Sequence, residues 1–335
     1  MSDRPRDQPR GMPEVGVAVS DPLGMLVAER ADGPAALAPR SSRRTSPYGR
    51  RIGFYVLIAV LLAEIVTVAL APVVSPYSPI SPSALPLLHP SGGHLLGTDA
   101  LGRDVLSRVI WGGRGPLLAA AASVVLGAGV GVPLGMIAGY RRSVVGSLIM
   151  RLADIMLAFP ALILGFVVIA ILGPGVVQVA VAVALSFVPV FMRIAYSSTL
   201  SVRQQEYILV SRSQGLPTWR VFAKHVLPNI WTEVFVVVTS AFGWALLLET
   251  TFSFLGLSSA PPTPDWGADL SAGQEVLGQA WWVSVGPGVA LTLTILLGNV
   301  IGDEVARKAA RRARFLPRRL VRELTEVPVV RTGPA

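Results

Sequence analysis

Two glutamates lie within long apolar stretches of this 335-residue sequence, where a carboxyl group could take part in chemistry. Glu64 stands in the stretch that begins near residue 52, and Glu249 stands in the one that begins near residue 230. An ionisable side chain at the centre of a membrane helix costs about 2.5 to 3.5 kcal/mol, so by default it is a candidate for a proton or substrate pathway. Glu64 either faces other helices or is protonated. Glu249 is either a buried hydrogen-bond partner or part of a pathway.

Other polar side chains also occur in the apolar stretches. Ser186 and Trp244 join Glu249 as candidate substrate-pathway residues, chosen from polarity alone. Arg151 and Asp154 are three residues apart, and this spacing on a helix favours a local ion pair.

The sequence lacks the usual signatures of hydrolytic and nucleotide-binding enzymes. It has no G-x-x-x-x-G-K-[ST] phosphate loop, no H-E-x-x-H zinc motif, no G-x-S-x-G motif and no cysteine. His89 and His94 fall in a Pro/Gly-rich segment, where we interpret them as surface residues rather than a metal site. We therefore expect no catalytic residues, metal or cofactor, and no ATP hydrolysis by this chain alone. An intramembrane hydrolase would lack its catalytic set.

The composition is that of a polytopic membrane protein, with 52% hydrophobic and only 15% charged residues. The net charge of +9 is better explained by basic flanks of membrane spans than by nucleic-acid binding, because the arginines cluster at the termini and beside apolar stretches. Residues 1–50 contain no apolar segment typical of a signal peptide, so we predict a disordered, basic cytosolic tail there. We predict a second basic cytosolic tail at residues 306–335.

Six stretches are long and apolar enough to cross a membrane, which takes about 20 residues per helix. They cover residues 52–74, 117–140, 146–172, 176–196, 230–257 and 281–301. The sequence therefore predicts an all-α integral membrane protein of about six transmembrane helices, within a domain at 51–305.

Lys and Arg set the predicted orientation of these spans. They cluster before the first span, between the second and third, between the fourth and fifth, and after the sixth. Both termini and the segment 203–229 are then cytosolic. Only the long loop after the first span departs from this pattern, with Arg103, Arg108 and Arg114, and an odd number of spans stays open.

Span two has glycines at strict four-residue spacing, namely Gly127, Gly131, Gly135 and Gly139. Such a stripe lets another backbone approach closely. We interpret it as packing inside the bundle, with a dimer interface as the alternative.

A polar, basic segment at 206–229 separates spans four and five. Residues 206–214 favour a helix that Gly215 can end, and Pro217 cannot continue it. A second short helix fits 218–226, with Thr218 as its N-cap. We call residues 206–229 the knob and interpret it as a docking element. The alternative is an amphipathic helix lying on lipid headgroups.

The knob resembles the EAA loop of permease subunits of binding-protein-dependent ABC importers, with its pattern E-A-A-x-x-x-G followed by L-P. Gly215 and Leu227-Pro228 match, and Glu206-Tyr207 match the Glu-Tyr that precedes the triplet in the peptide branch. Leu, Val and Ser replace the triplet itself. The residues assigned to coupling by this resemblance are Glu206, Tyr207, Leu209, Val210, Ser211, Arg212, Gly215, Leu216, Pro217, Leu227 and Pro228.

Other stretches are similar to the dipeptide, oligopeptide and nickel permeases and cover most of residues 50–310. They are the outer-loop residues 94–99 and 101–108, the third-span entry 154–160, and residues 249–257 with 261–267.

The resemblance implies a bundle like that of type I ABC importer permeases, in the bacterial cell (inner) membrane. The implied partners are cytosolic ATP-binding subunits, a second permease subunit and an extracytoplasmic solute-binding protein, with peptides or nickel chelates as cargo. The alternative is an ion-coupled secondary transporter that uses Glu64 or Glu249, although no inverted repeat is visible between the halves.

Overall fold

The computed structural model describes residues 47–140, 144–213 and 216–314. Within these ranges the regular structure is helical, apart from one isolated antiparallel bridge between Thr98 and Asp104. Backbone contacts divide the chain after Arg50, and the helices lie in the unit that begins at Arg51, except for the first turn of α1. Most of the two predicted tails falls outside the described residues, so the domain boundaries stay predictions.

Twelve α-helices and one π-helical turn follow one another in the described ranges. They are α1 (Pro47–Ala69), α2 (Ala71–Val74), α3 (Val105–Gly112), α4 (Arg114–Tyr140), α5 (Val144–Ala158), α6 (Ala161–Leu172), α7 (Val176–Arg203), α8 (Glu206–Ser213), α9 (Thr218–Val221), the π turn (Phe222–Val226), α10 (Leu227–Phe254), α11 (Trp266–Glu275) and α12 (Trp282–Arg314).

Each of the six predicted stretches is helical in the described residues, and four of the described segments are by themselves long and apolar enough to cross a membrane. They are Val105–Tyr140, Val176–Arg203, Thr218–Phe254 and Trp282–Arg307, and a fifth results if α5 and α6 count as one broken span. The first predicted span corresponds to α1, which has 23 residues and is therefore about 34 Å long, followed by the short α2. Pro72, which cannot donate a helical hydrogen bond, lies three residues after the end of α1, in the first turn of α2.

Predicted span three is broken, because α5 and α6 meet at an angle of 96°. Pro160 lies at the break in an extended conformation and precedes the first residue of α6. Proline clashes with the preceding turn of a helix and disfavours helical geometry in the residue before it. Hydropathy alone predicted one continuous helix over 146–172, and this was wrong.

The glycine stripe packs α4 against α7, which confirms the interpretation as packing inside the bundle. A Cβ atom on Gly131 would lie 2.5 Å from the Val188 carbonyl oxygen, and one on Gly139 would lie 2.7 Å from that of Tyr196. Real Cβ atoms essentially never come so close, so the two backbones are in direct contact along this face. Around this pair α10 contacts α4, α7, α11 and α12.

Candidate functional site

The knob begins with a short helix that is attached to the bundle by one buried side chain. Helix α8 covers Glu206–Ser213, in agreement with the predicted helix at 206–214. Ile208 is fully buried, whereas Tyr207 is 42% exposed and Glu206 is exposed. Residues 214 and 215 are outside the described ranges, as are the side chains of Leu209, Val210, Ser211 and Arg212.

The second half of the knob is not an independent helix. Helix α9 runs through the π turn directly into α10, so Thr218–Phe254 is one continuous helical segment. Pro217, not Thr218, occupies the N-cap position, and no side chain caps this end. The predicted cap was therefore wrong, because the extended backbone of Pro217 already starts the helix.

The π turn has a local cause in the Leu227-Pro228 pair. The Leu227 N–H donates to the Phe222 carbonyl oxygen, five residues earlier. Pro228 has no N–H to donate to the carbonyl four residues before it, which favours a locally widened helix. Leu227 is half-buried and Pro228 is exposed.

Buried residues fix the knob, and aromatic residues face outward from it. Val221 and Val226 are fully buried in the main core, and the Phe222 ring meets Tyr140 at the end of α4 edge-on, 4.9 Å between centroids. Trp219 is 65% exposed, and the guanidinium carbon of Arg220 lies 5.3 Å from its ring centroid. An anchored surface that presents an aromatic ring with a stacked cation is suited to binding another protein.

Two of the three predicted pathway residues line one cavity. Ser186 of α7 and Trp244 of α10 border a space of about 230 Å³ beside the break between α5 and α6. The Ser186 hydroxyl donates to the Ala182 carbonyl oxygen at 3.2 Å, and Trp244 is 63% exposed. The other lining residues are Met156, Leu157, Phe159, Ala161, Leu164, Phe187, Val190 and Leu248.

Glu249, the third candidate, does not line this cavity. It is fully buried, and its Oε1 atom accepts a hydrogen bond of 3.0 Å from the Ser258 hydroxyl. Asp265 lies close by, accepts hydrogen bonds from Ser253 and Ser259, and caps the first turn of α11. This arrangement places Glu249 in a polar junction between the end of α10 and α11.

Glu64 contacts the last helix of the bundle. It is half-buried, and its Oε1 atom accepts a hydrogen bond of 2.7 Å from the hydroxyl of the fully buried Thr294 in α12. The side chain therefore faces other helices, which is one of the two interpretations that the sequence left open.

The loop before α3 is an ordered structure built around Asp104. Its carboxylate accepts hydrogen bonds from the Ser107 backbone N–H at 2.7 Å and from His94 Nδ1 at 2.8 Å. His94 is only 9% exposed, so the prediction of a surface histidine was wrong for it. His89 is exposed, as predicted, and its ring lies 4.5 Å from that of Trp282.

Arg108 connects this loop to α11. Its Nε atom donates to Asp269 Oδ1 at 2.9 Å, and its Nη1 atom donates to the Pro79 carbonyl oxygen at 2.9 Å. Burial raises the pKa of the Asp269 carboxyl, and the adjacent Arg108 guanidinium opposes that shift. The pair borders a second cavity of about 260 Å³.

The local spacing of charged residues predicted the wrong partner for Asp154, which lies at the third-span entry. Asp154 pairs with Arg193 of α7, 2.5 Å between Oδ1 and Nη2, and not with Arg151 as the local spacing suggested. The sequence feature that could have indicated this partner is Arg193, a cation inside the apolar stretch 176–196.

Comparison with known sequences gives consistent results. Residues 131–315 match the family described as binding-protein-dependent transport system inner membrane component. The chain is 40% identical over 240 residues to the di/tripeptide transport system permease protein DppC of Pseudomonas aeruginosa, covering 70% of this chain and 79% of that one. It is 38% identical over 214 residues to the glutathione transport system permease protein GsiD of Pectobacterium atrosepticum, covering 64% and 71%.

Among solved structures, an inward-facing form of the MetNI methionine ABC transporter superposes with a TM-score of 0.51. The match covers 60% of this chain and 96% of that one at 17% identity, so it shows a shared fold.

Proposed function

Because this chain belongs to the family of inner membrane components of binding-protein-dependent transport systems, we propose that it imports peptides and couples to ATP hydrolysis through its knob. The chain is a permease subunit of an ABC importer and a multi-pass membrane protein with the type I permease fold. Such importers work with ATP-binding subunits and a solute-binding protein, so ATP is hydrolysed in a partner.

The observation that carries the coupling proposal is the outward-facing Trp219–Arg220 pair on an anchored base. Val221 and Val226 hold the segment in the core, while the ring and guanidinium of the pair project into solvent. A rigid, exposed aromatic–cation surface has little conformational entropy to lose on docking. We assign it to the contact with the cytosolic ATP-binding subunit, together with Glu206, Tyr207, the 209–212 segment, Gly215, Leu216, Pro217, Leu227 and Pro228.

Peptide cargo is supported by the names of the relatives, which are di/tripeptide and glutathione permeases. The cavity beside Ser186 and Trp244 has about 230 Å³, which is the scale of a small peptide rather than a bare ion. We place these two side chains on the translocation path. Glu249 remains a weaker candidate, since its carboxyl group bonds to Ser258 away from the cavity.

The orientation and assembly also belong to the proposal. The knob and both termini would face the cytosol of a bacterium whose inner membrane the helices cross, as the distribution of Lys and Arg predicts. A second permease subunit would complete the path in a hetero-oligomer. The alternative of an ion-coupled transporter that uses Glu64 or Glu249 is not supported, because the chain belongs to the importer family.

Copurification tests the coupling role of the knob. The tagged permease is expressed with its ATP-binding subunits, and Trp219→Ala with Arg220→Glu is expected to reduce copurified ATPase about tenfold or more, as loss of a protein hot spot does. Trp231→Ala is a matched control, since Trp231 is 56% exposed but lies in α10 outside the knob. Wild-type ATPase recovery with the double variant would refute the coupling role. If the double variant instead keeps its ATPase but binds anionic vesicles less well than wild type, the alternative of a helix lying on lipid headgroups would be favoured.

ATP-dependent uptake tests the cargo. Proteoliposomes with the complete complex and its binding protein should accumulate a di- or tripeptide only with ATP inside. Uptake of nickel chelate but not of peptide would refute the peptide proposal. Uptake driven by a proton gradient without ATP would contradict the importer mechanism.

A further inference from the structure

Asp154 and Arg193 form an exposed ion pair within the predicted third and fourth spans. The two side chains are joined at 2.5 Å, yet each is 58% exposed. Arg193 lies within α7, about 15 Å along the helix axis from its end at Arg203. Charged groups at membrane depth almost always face a water-filled cavity or other protein groups, because lipid would leave them unsolvated. This tendency favours a water-filled or protein-facing surface for the face that carries the pair.

The pair continues the lining of the cavity described above. Ser186, Val190 and Arg193 are spaced by four and three residues, which places them on one face of α7. The first two line the cavity, and Arg193 follows one turn further along. Asp154 likewise lies three residues before Leu157, which lines the cavity from α5. The ion pair thus lies about one helical turn from the cavity lining on both α5 and α7, and Trp244 lines the same cavity from α10.

We propose that Asp154 and Arg193 form a charged subsite on the translocation path that binds the two ends of a peptide. This inference rests on the proposed function. The Arg193 guanidinium takes the C-terminal carboxylate, for which its planar fork of donors is suited. The Asp154 carboxylate takes the N-terminal ammonium group, and Trp244 offers an apolar surface to the side chains.

Replacing the Asp154–Arg193 ion pair by contacts to the two ends of a peptide keeps every charge paired. In the free protein each charge satisfies the other, and an exposed ion pair of this kind contributes little stability, so it opens easily. A zwitterionic peptide supplies one opposite charge to each member, so no charge is left unpaired on a surface surrounded by apolar groups. A peptide with one blocked end leaves one member without its new partner.

Accessibility gives the first test, and the chain suits it because it contains no cysteine. In the assembled complex, Arg193→Cys and Ser186→Cys should react with a charged, membrane-impermeant thiol reagent. Val125→Cys is the control, since Val125 is 68% exposed on the apolar surface of α4 and should stay unlabelled. A tripeptide with free ends should slow labelling at 186, where both members of the ion pair are still present. Failure of both 186 and 193 to react in every nucleotide state would overturn the proposal.

Uptake of blocked peptides gives the decisive test. The complete complex in proteoliposomes is supplied with a tripeptide with free ends, its C-terminal amide or its N-acetyl form. Each variant is compared with wild type for the same peptide, which removes the binding protein's own preference. Arg193→Gln should reduce uptake of the free tripeptide about tenfold, as loss of one charge-assisted hydrogen bond does, and change uptake of the amide less than about twofold. Asp154→Asn should likewise reduce uptake of the free tripeptide about tenfold and change uptake of the N-acetyl form less than about twofold.

Two further variants separate substrate binding from a structural role. Arg193→Lys keeps the charge but not the planar fork, so it should restore uptake of the free tripeptide in part, to a level above that of Arg193→Gln. Arg307→Gln removes a similarly exposed cation, 53% exposed beside Glu304 near the end of the described chain, and should alter no ratio. An equal loss for all three peptides, or no loss at all, would overturn the charged subsite.

The wild-type complex separates the two proposals. If it carries no peptide with ATP, the peptide function itself fails. If it carries peptides while both variants keep the wild-type ratios between free and blocked forms, only the charged subsite is refuted.

Discussion

Arg108 and Asp269 are 161 positions apart in the chain and form a buried ion pair between α3 and α11. The same guanidinium donates to the carbonyl oxygens of Pro79 and Pro262, so one side chain holds the loop before α3 and the loop before α11 together. The two segments reported as similar to the importer permeases at 101–108 and 261–267 are thus parts of one structure.

Loss of either partner of this pair should destabilise the protein strongly. Arg108→Leu leaves the buried Asp269 carboxyl without its hydrogen-bond partner, and Asp269→Leu leaves Arg108 only a longer ionic contact of 3.8 Å with Asp99, so the cost should reach about 3 to 5 kcal/mol. The double variant, which leaves neither charge, should be more stable than either single variant. Thermal unfolding of the purified chain in detergent measures all three. Arg307→Gln is the control, because an exposed pair contributes at most about 1 kcal/mol, and single variants no worse than this control would contradict the prediction.

A side chain on the glycine stripe should separate α4 from α7. Gly135→Val places bulk against the Met192 carbonyl and Ala195, where even a Cβ atom has no room. We expect a loss of at least about 3 kcal/mol, at the upper end for overpacked cores. Gly129→Ala in the same helix has no atom within 4 Å of the added Cβ and should be neutral or stabilising. Detergent thermal unfolding or membrane yield compares them, and equal stability of the two variants would refute direct backbone contact.

Removal of the Asp104 carboxylate should loosen the outer loop. Asp104→Ala deletes the N-cap of α3 and the partner of His94, and N-cap loss alone costs about 0.5 to 2 kcal/mol. Limited proteolysis or hydrogen exchange of residues 75–104 should show faster cleavage or exchange. Ser83→Ala is the control in the same loop, because its hydroxyl makes only a long contact of 3.4 Å with the Gly102 carbonyl oxygen. Equal protection in the two variants would rule out this role of Asp104.

Pro228 should set the orientation of the knob relative to α10. Pro228→Ala restores an N–H that favours ordinary α-helical bonding in place of the π turn. A change of one residue in register rotates Trp219 by about 100° around the helix axis. Insertion should persist while ATP-dependent uptake falls roughly tenfold, equivalent to about 1.4 kcal/mol of docking free energy. Ala223→Ser, an exposed change within the π turn, should have no effect; uptake that stays normal in Pro228→Ala would contradict this role.

Local sequence patterns predicted the parts of this protein that local chemistry determines. The polar segment between two apolar stretches placed the knob, and the four-residue spacing of glycines identified the face of α4 that touches α7. Local patterns gave wrong predictions where a residue's partner is set by tertiary contacts. The true partner of Asp154 is 39 positions away, whereas local spacing pointed to Arg151.

Proline effects explain most of the remaining differences. Pro160 is visible in the third apolar stretch of the sequence. Average hydropathy does not predict a bend, because it depends on polarity and not on backbone geometry. Pro228 matched a family motif, yet its effect on the helix before it depends on which hydrogen bonds are available nearby. His94 looked like a surface residue because its partner, Asp104, becomes its neighbour only when the loop closes on itself.

The backbone contact between α4 and α7 also limits how the protein can change shape. The four glycines, spaced four residues apart, bring the backbones of α4 and α7 into contact. We therefore expect the two helices to move as one rigid unit, because sliding or rolling would cause steric overlap. A change between access to the two sides of the membrane would then have to occur elsewhere in the bundle. The 96° bend between α5 and α6 lies outside this contact, at Pro160, and borders the cavity.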